Sequence, residues 1–449
     1  MVPDSSLSRR QLLASGGVTG TLLGGGYLAR QYLRTAAGAQ TAVGGASGWP
    51  MAARDPGGTA YAPDADPPID GISVRWRRDI LSGSEADERP APVVADGVVY
   101  AVGPFGSEDV PVSPELLAVS ASDGDVLARG RRSTRTAAAV APARAYREPT
   151  VATLETPTFD AHRLVGLPAR GGRSGWWQGD DATRWTASTD ADADSYSRVH
   201  FGGSTTPPPV VAGDTLLTYV RGTLAVVDGS GGAVRWTSDE GLPAVRPAVR
   251  DGTAYVVGPE GGVRGYDLAT GDHTTVRRAF PASPMYLTAT AERLFVSGQG
   301  WIQALDTDGS VAWRTSFEGE DVPAGPLAVG DGTVYARRPA DRGTESEGET
   351  ETDGGTEPLA RLCALDAADG SLQWVADGVA VETGPFLPAV ADGLVAVPTA
   401  DGALAGVDAA DGSVRWRFDS PAEPCSPAAL VDDAVYVVAS AQLYALEEA

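Results

Sequence analysis

The chain has 449 residues and carries 59 acidic against 35 basic side chains, a formal net charge of −24. Every basic residue is Arg, since Lys does not occur. The acidic excess runs through the whole chain, and no basic patch is visible that could bind phosphate groups. The composition therefore argues against a nucleic-acid partner.

A charge of this size and spread resembles the acidic surfaces of proteins from salt-loving archaea, where salt screens most of the self-repulsion. A GC-rich genome would also replace Lys by Arg, but coding bias does not explain the acid excess. We therefore expect a halophilic protein.

Residues 1–39 are predicted to form an export signal. The run Ser8-Arg9-Arg10-Gln11-Leu12-Leu13 resembles the twin-arginine motif, and the following residues 12–29 are Gly-rich and only mildly apolar. Ala37-Gly38-Ala39 offers a small-residue cleavage site. We expect a secreted or cell-surface protein that meets the membrane only if the signal stays uncleaved.

Residues 40–71 are rich in Ala, Gly, Pro and Asp, which is typical of a flexible spacer. From residue 72 to the end, one pattern accounts for nearly the whole chain, so we expect a single large domain at 72–449.

That pattern is a repeat of four short apolar or alternating runs, broken by Asp-Gly pairs that favour tight antiparallel hairpins. About 40 residues long, each unit predicts one four-stranded blade of a β-propeller. The opening strands begin near Pro92, Pro157, Pro208, Pro247, Pro284, Pro326, Pro388 and Pro427. We predict an all-β, eight-bladed propeller, or a seven-bladed one if the degenerate second unit is not a blade.

The two ends of the chain should close the ring. Ser73-Val74-Arg75-Trp76-Arg77 recurs at 413–417, where it ends a complete repeat, while the last unit stops near Leu446 without a fourth strand. The N-terminal strand is therefore predicted to complete the C-terminal blade, which removes an unpaired edge. Arg75, at an alternating position, is expected to be solvated.

Large aromatic residues in the outer strands should pack blade against blade. The residues assigned to this docking are Trp76, Trp185, Trp236, Trp313, Trp374 and Trp416, with Asp366, Gly370, Asp408 and Gly412 in the adjoining hairpins. Ala128 and Thr275 occupy the Trp position in two units, and those two junctions are expected to be the softest.

The run Ala364-Leu-Asp366-Ala-Ala-Asp369-Gly370-Ser-Leu-Gln-Trp374 resembles the tryptophan-docking motif of the PQQ-like, or quinoprotein-type, propeller family. Residues 226–236 and 406–416 fit the same pattern, 265–275 lacks its Trp, and 304–313 is one residue short. The resemblance spans about residues 72–446. It implies the fold, but the family includes dehydrogenases, membrane-protein assembly factors and exported propellers without known activity.

For a dehydrogenase, the resemblance implies a channel site with PQQ, a calcium ion, a catalytic Asp and often a vicinal Cys pair. This chain has no Cys-Cys run; Cys363 and Cys425 fall in units too far apart for a disulfide, so two buried free thiols are expected. No catalytic set or metal site can be assigned from the sequence, and no cofactor is predicted.

Other features are better explained as surface or core than as chemistry. Asp190, Asp192 and Asp194 could approach a calcium ion, but the Gly and Glu of an EF-hand are missing. His162, His200 and His273 are widely separated. Asp306 and Asp308 have the spacing of a hairpin.

Two insertions interrupt the repeat. Residues 339–358 are strongly acidic and predict a disordered loop. Residues 172–203 hold several aromatics, including Trp176, Trp177 and Trp185, which would either form a partner or carbohydrate surface or belong to the second blade.

The sequence thus favours an exported, non-catalytic propeller that binds a protein or cell-surface partner. A PQQ-dependent oxidoreductase, with PQQ and calcium as cofactors, and a carbohydrate-binding or carbohydrate-cleaving propeller are the alternatives.

Overall fold

A computed structural model describes most of the chain from residue 48 onward. The described residues are 48–80, 89–103, 114–132, 134, 136–142, 146, 148–158, 161–171, 177, 182–187, 207–220, 222–317, 322–339, 360–381, 387–420 and 425–449, with the backbone alone at 156–158, 161 and 162. They lie within one compact unit, Thr41–Ala449. The predicted signal and residues 40–47 of the predicted spacer lie outside them.

Eight antiparallel sheets form the ring, so the prediction of eight blades is confirmed. Blade 1 consists of β3(Val93–Ala95), β4(Val98–Val102), β5(Glu115–Ser120) and β6(Val126–Arg131), and blade 2 of β7(Ala139–Ala141), β8(Thr150–Thr158), β9(Ala161–Pro168) and β10(Trp185–Ala187). Blade 3 consists of β11(Val210–Ala212), β12(Thr215–Val220), β13(Thr223–Asp228) and β14(Val234–Thr237), and blade 4 of β15(Ala248–Arg250), β16(Thr253–Val257), β17(Val263–Asp267) and β18(His273–Arg277). The degenerate second unit is therefore a complete blade.

Blades 5 to 7 continue the same order, with each chain segment building its own sheet. Their strands are β19(Tyr286–Ala289), β20(Leu294–Gly298), β21(Trp301–Leu305) and β22(Val311–Ser316); β23(Ala328–Gly330), β24(Thr333–Pro339), β25(Ala360–Asp366) and β26(Leu372–Ala380); and β27(Ala389–Ala391), β28(Leu394–Pro398), β29(Leu404–Asp408) and β30(Val414–Phe418). The described residues contain no helix, and accordingly none that could span a membrane.

Blade 8 joins the two ends of the chain. It contains β31(Ala429–Val431), β32(Ala434–Ala439), β33(Gln442–Glu447) and, as its outer strand, β2(Ser73–Asp79). Val74 pairs with Leu446 and Trp76 with Ala445. The predicted closure by the N-terminal strand is confirmed.

A bulge recurs in the outer strands and sets which side chains point inward. In blade 7 the pairing shifts between Gly406 and Val407, so that Val414 and Arg415 both face outward before Trp416 turns into the core. An extra residue in one strand has this effect because side chains otherwise alternate between the two faces. The bulge explains why Val74, Val126, Val234, Val311, Leu372 and Val414 are exposed although apolar.

Arg75 does not lie free in solvent as expected. Its guanidinium contacts the carboxylates of Asp433 and Glu447, with both nitrogen-to-oxygen distances at 2.6 Å, and only 18% of its side chain is exposed. The bulge causes this, because it directs Arg75 along the sheet surface toward the acids of the neighbouring strands.

Residues 48–71 are not a flexible spacer. Trp49, Ala53 and Ala60 are completely buried, and β1(Tyr61–Ala62) pairs in parallel with the innermost strand of blade 7. The expectation failed because a segment rich in small residues is also suited to close packing against the inner strands of the ring, as at Gly57 against Ala289. We call residues 48–66 the strap.

Candidate functional site

Antiparallel connectivity gives the ring two unlike faces. The hairpins that join the first to the second strand and the third to the fourth strand of each blade open on one face, here called the hairpin face. The remaining turns and the links between blades lie on the opposite, connection face.

In four blades, a tryptophan of the outer strand docks on the last hairpin of the next blade. The indole N–H of Trp374 donates to the carbonyl oxygen of Ala409 at 3.0 Å, and that of Trp313 to Ala367 at 2.9 Å. Trp76 and Trp236 make the same bond, to Ala121 and Leu268. These side chains combine a large buried area with a satisfied polar group, which stabilises a blade junction.

The aspartates of the motif are occupied within their own hairpins. Asp366 accepts the backbone N–H of Ala368 at 2.7 Å, and Asp408 accepts that of Ala410 at 2.7 Å. Gly370 and Gly412 follow with φ near +75° and +78°, directly beneath the indole of the preceding blade. Hydrogen bonds of this local kind stabilise turns, so these residues serve the fold.

The two junctions without a tryptophan are filled in other ways. Beside Ala128, the buried Trp177 reaches in from blade 2: its backbone N–H donates to the Arg129 carbonyl and its indole N–H to that of Pro168. Beside Thr275, the shorter hairpin of blade 5 brings Gly309 against the backbone of Val276. Both junctions therefore have a substitute contact that the sequence pattern did not reveal.

Where a propeller would hold a ligand in its central bore, this chain places its own strap. The backbone N–H of Val94 donates to Trp49 at 2.7 Å, and Val140 to Pro50 at 2.8 Å. Further round the ring, Val249 donates to Pro56, Ala289 to Gly57, Val329 to Thr59 and Val390 to Ala60, all at 2.8 Å. The strap therefore follows the inner wall past blades 1 to 7 in order.

Arg246 holds the strap from the wall of blade 4. Its side chain is 1% exposed, and its guanidinium donates to the carbonyl of Asp55 at 2.8 Å and to that of Ala52 at 3.4 Å. Burial lowers the pKa of Arg246 to about 10, so the group stays charged at neutral pH. Nothing in the sequence pattern marked Arg246, because it precedes an ordinary inner strand.

The bore does not fit PQQ with a calcium ion. Its wall is hydrogen-bonded to strap residues from Trp49 to Ala62, so the inner strands that would surround a planar cofactor are covered by the protein's own backbone. Among the described residues, no three His, Cys, Asp or Glu side chains are grouped to bind a metal. No step through a quinone can be derived from these residues.

The other candidates from the sequence fall into two groups. Asp190, Asp192, Asp194, His200, Trp176 and residues 340–358 lie outside the described residues, as does the side chain of His162. His273 is exposed, with its ring 4.9 Å from that of Tyr266, and Asp308 accepts the N–H of Ser310 in a hairpin. Trp177 and Trp185 of the aromatic insertion are buried, so neither can form a carbohydrate surface.

Cys363 and Cys425 are both buried and free, as predicted. Burial raises the pKa of the Cys363 thiol to about 12, which makes the thiolate scarce at neutral pH. Neither residue is placed for nucleophilic chemistry.

The family model described as outer membrane protein assembly factor BamB matches residues 177–278 and 275–447, together more than half of the chain. The chain belongs to this family. No curated protein matches it in sequence. Among solved structures, this BamB-family chain resembles BamB from Moraxella catarrhalis with 15% identity and a TM-score of 0.52, over 84% of this chain and 99% of that one.

The same fold occurs in enzymes. Quinohemoprotein alcohol dehydrogenase from Comamonas testosteroni shares 14% identity with a TM-score of 0.62, over 91% of this chain and 81% of that one. A europium-containing methanol dehydrogenase shares 12% identity with a TM-score of 0.57, over 90% and 98%. At such identities the likeness is one of fold, and function must be argued from the residues of this chain.

Proposed function

We propose that this BamB-family protein is an exported, non-catalytic scaffold that binds a protein partner at the cell surface. The observation that carries the proposal is the strap: the wall of the bore, which would have to contact a cofactor or substrate, is lined by residues 48–62 of the same chain. What remains for binding is the pair of broad faces. The family description, an assembly factor, favours a protein partner.

The hairpin face offers a rigid surface for such a partner. Inner hairpins place the exposed carboxylates of Asp96, Asp251 and Asp331 around the mouth of the bore, each on a residue with positive φ that fixes the turn. A surface that is already ordered loses little conformational freedom when it binds, which favours affinity. Carboxylates at these positions favour a partner with basic groups.

Export through the twin-arginine route and adaptation to high salt are part of the proposal. They rest on Arg9 and Arg10 within the signal-like segment and on the net charge of −24. Export of a folded protein suits a ring whose first and last strands must pair before it closes. Replacing both arginines by Lys should leave the protein inside the cell, and undiminished export of that variant would contradict this part.

Two experiments test the binding role. Calorimetry with PQQ and calcium, followed by dye-linked assays with alcohols and sugars, should show neither binding nor turnover; tight binding with turnover would replace the scaffold by an oxidoreductase. Cross-linking in the native envelope at high salt should capture a saturable partner. Capture should fall in the variant with Asp96, Asp251 and Asp331 all changed to Asn.

The control for that variant carries Asp377→Asn and Asp419→Asn, which removes two carboxylates instead of three. These two side chains are 95% and 73% exposed and lie away from the inner hairpins. Asn tolerates positive φ almost as well as Asp, so the turns should be retained. Equal loss of capture in both variants would show that only overall charge matters, and would contradict a binding role for the hairpin face.

A further inference from the structure

We propose that the bore of the ring is a peptide-binding site whose resident ligand is the strap, residues 48–66 of the same chain. The inference is independent of the scaffold role. Its basis is a repeated recognition geometry, in which the inner strands of six blades (1, 2, 4, 5, 6 and 7) each donate one backbone N–H to a carbonyl of the strap, in chain order.

The chemistry of the ligand follows from this geometry. The inner strands bind carbonyl oxygens of the strap. Among the described hydrogen bonds outside regular strand pairing, one strap amide donates to an inner strand in return, and it is that of Trp49, to Val94. Pro50 and Pro56 can therefore stand in the strap without losing a bond, since proline keeps its carbonyl and lacks only the N–H. The site selects a proline-tolerant peptide that bends through turns at residues 51–57, where Ala53 and Arg54 have positive φ.

Small residues are required where the strap lies closest to the wall. A Cβ atom added at Gly57 would overlap the carbonyl oxygen of Ala289, and one at Gly58 would overlap the guanidinium of Arg246. The Ala289 backbone cannot move aside as the flexible Arg246 side chain can, so the clash at Gly57 is harder to relieve than the one at Gly58. Ala52, Ala53 and Ala60, each at most 1% exposed, show the same demand for small side chains.

One aromatic residue and one cation give the site its direction. Trp49 is completely buried beside the inner strand of blade 1, and Arg246 fixes the carbonyls of Ala52 and Asp55 on blade 4. A peptide bound in the reverse direction would carry its Trp away from blade 1 and would present different carbonyls to Arg246. The site should therefore distinguish the strap sequence from a scrambled peptide of the same composition.

The first experiment supplies the strap as a separate peptide. A protein that begins at Pro67 keeps Pro68 and the closing strand β2 but leaves the bore open, and the probe is a synthetic peptide of residues 48–66. We expect one peptide to bind per ring by calorimetry. Gly57→Ala in the peptide should weaken binding about 10- to 100-fold, as overpacking against backbone does.

The control peptide carries Asp66→Asn, because Asp66 is exposed at the end of the strap. It should bind as tightly as the original. A folded ring that ignores the peptide would overturn the proposal, and so would one that binds the scrambled or Gly57→Ala peptide equally well.

A second experiment covers the case in which the shortened ring does not fold. A protease site inserted between Asp66 and Pro67 of the exported protein allows the strap to be cut from the folded ring. The strap fragment should then co-elute with the ring in gel filtration. Gly57→Ala should shorten the time for which the fragment stays bound to the ring about 10-fold or more. Release of the unsubstituted fragment from a ring that stays folded would overturn the proposal.

Discussion

The indole N–H of Trp416 donates a hydrogen bond to the carbonyl oxygen of Pro68, 2.9 Å away. Elsewhere the acceptor for such an indole belongs to the last hairpin of the next blade, as Ala409 does for Trp374. Blade 8 has no such hairpin, since its third and fourth strands are the two ends of the chain. Pro68, just before β2, supplies the missing carbonyl, so the N-terminal segment repairs the junction as well as completing the sheet.

Trp76 should be among the most costly side chains to remove. It is 7% exposed, bonded to Ala121 and packed on Tyr436 with ring centroids 5.8 Å apart. Trp76→Ala is expected to lower the free energy of unfolding by about 3–5 kcal/mol. Val74→Ala, at a position 47% exposed in the same strand, should cost less than about 1 kcal/mol. Denaturant unfolding in concentrated KCl measures both, and equal losses would contradict the docking role.

Trp177 should behave as the docking residue of the junction beside Ala128. Because it is fully buried and its indole is bonded to Pro168, Trp177→Ala should cost about 3–5 kcal/mol in the same unfolding assay. Ala128→Trp should not compensate, since Ala128 is itself completely buried with no space for an indole. Restored stability in the double variant would show that the junction can be rebuilt from the outer strand.

Two glycines allow the cost of backbone strain to be distinguished from the cost of a packing clash. Gly412 and Gly393 have φ of +78° and +72°, but a Cβ at Gly412 would lie 2.6 Å from the Trp374 ring, while one at Gly393 meets nothing within 4 Å. Gly393→Ala should therefore cost about 1 kcal/mol, from the left-handed backbone alone. Gly412→Ala should cost about 1–3 kcal/mol more. Thermal unfolding of the two variants measures the difference, and indistinguishable values would contradict the packing argument.

The Arg75 ion pairs should make the stability of the closing strand depend on pH. The hydrogen bond from Arg75 holds the pKa of Asp433 below its ordinary value of 3.8. A lowered carboxyl pKa stabilises the fold above the ordinary value, and this contribution is lost as the pH falls through the lowered one.

Arg75→Ala is accordingly expected to cost about 1–2 kcal/mol at neutral pH, more than a solvated arginine would. The difference from the unsubstituted protein should shrink below about pH 4, where Asp433 becomes protonated in the unfolded chain. Arg314→Ala, on an exposed position of blade 5, is the control and should change stability little at either pH. A difference that does not vary with pH would rule out the ion pairs as its cause.

The thiols should be unreactive in the folded protein. Both are buried, and the raised pKa of Cys363, about 12, leaves little thiolate at pH 8. Ellman's reagent should therefore detect no thiol in the native state and both on unfolding in denaturant. Rapid native labelling of Cys363→Ser protein would show that Cys425 is accessible, and labelling of Cys425→Ser protein would show the same for Cys363.

The sequence by itself determined the repeat and the way the ring closes, and it left open only whether the second unit makes the eighth blade. Each depends on local patterns: Asp-Gly hairpins, alternating strands and a Trp at a fixed distance, and the duplicated Ser-Val-Arg-Trp-Arg revealed that Val74 belongs beside Leu446. Such signals lie within a few residues of one another, so they can be read along the chain.

Only the tertiary structure decided what fills the bore, the Trp-less junctions and the last docking site. Trp49, Arg246 and Trp177 bind backbone groups far away in sequence, at Val94, Asp55 and Arg129, and a backbone N–H or carbonyl demands no particular residue type of its partner. The strap needed only small residues and proline, which in sequence are also the mark of a flexible spacer. The strap is ordered by the inner wall of the ring. There the innermost strands of several blades offer backbone N–H groups side by side, and no single repeat provides such a row.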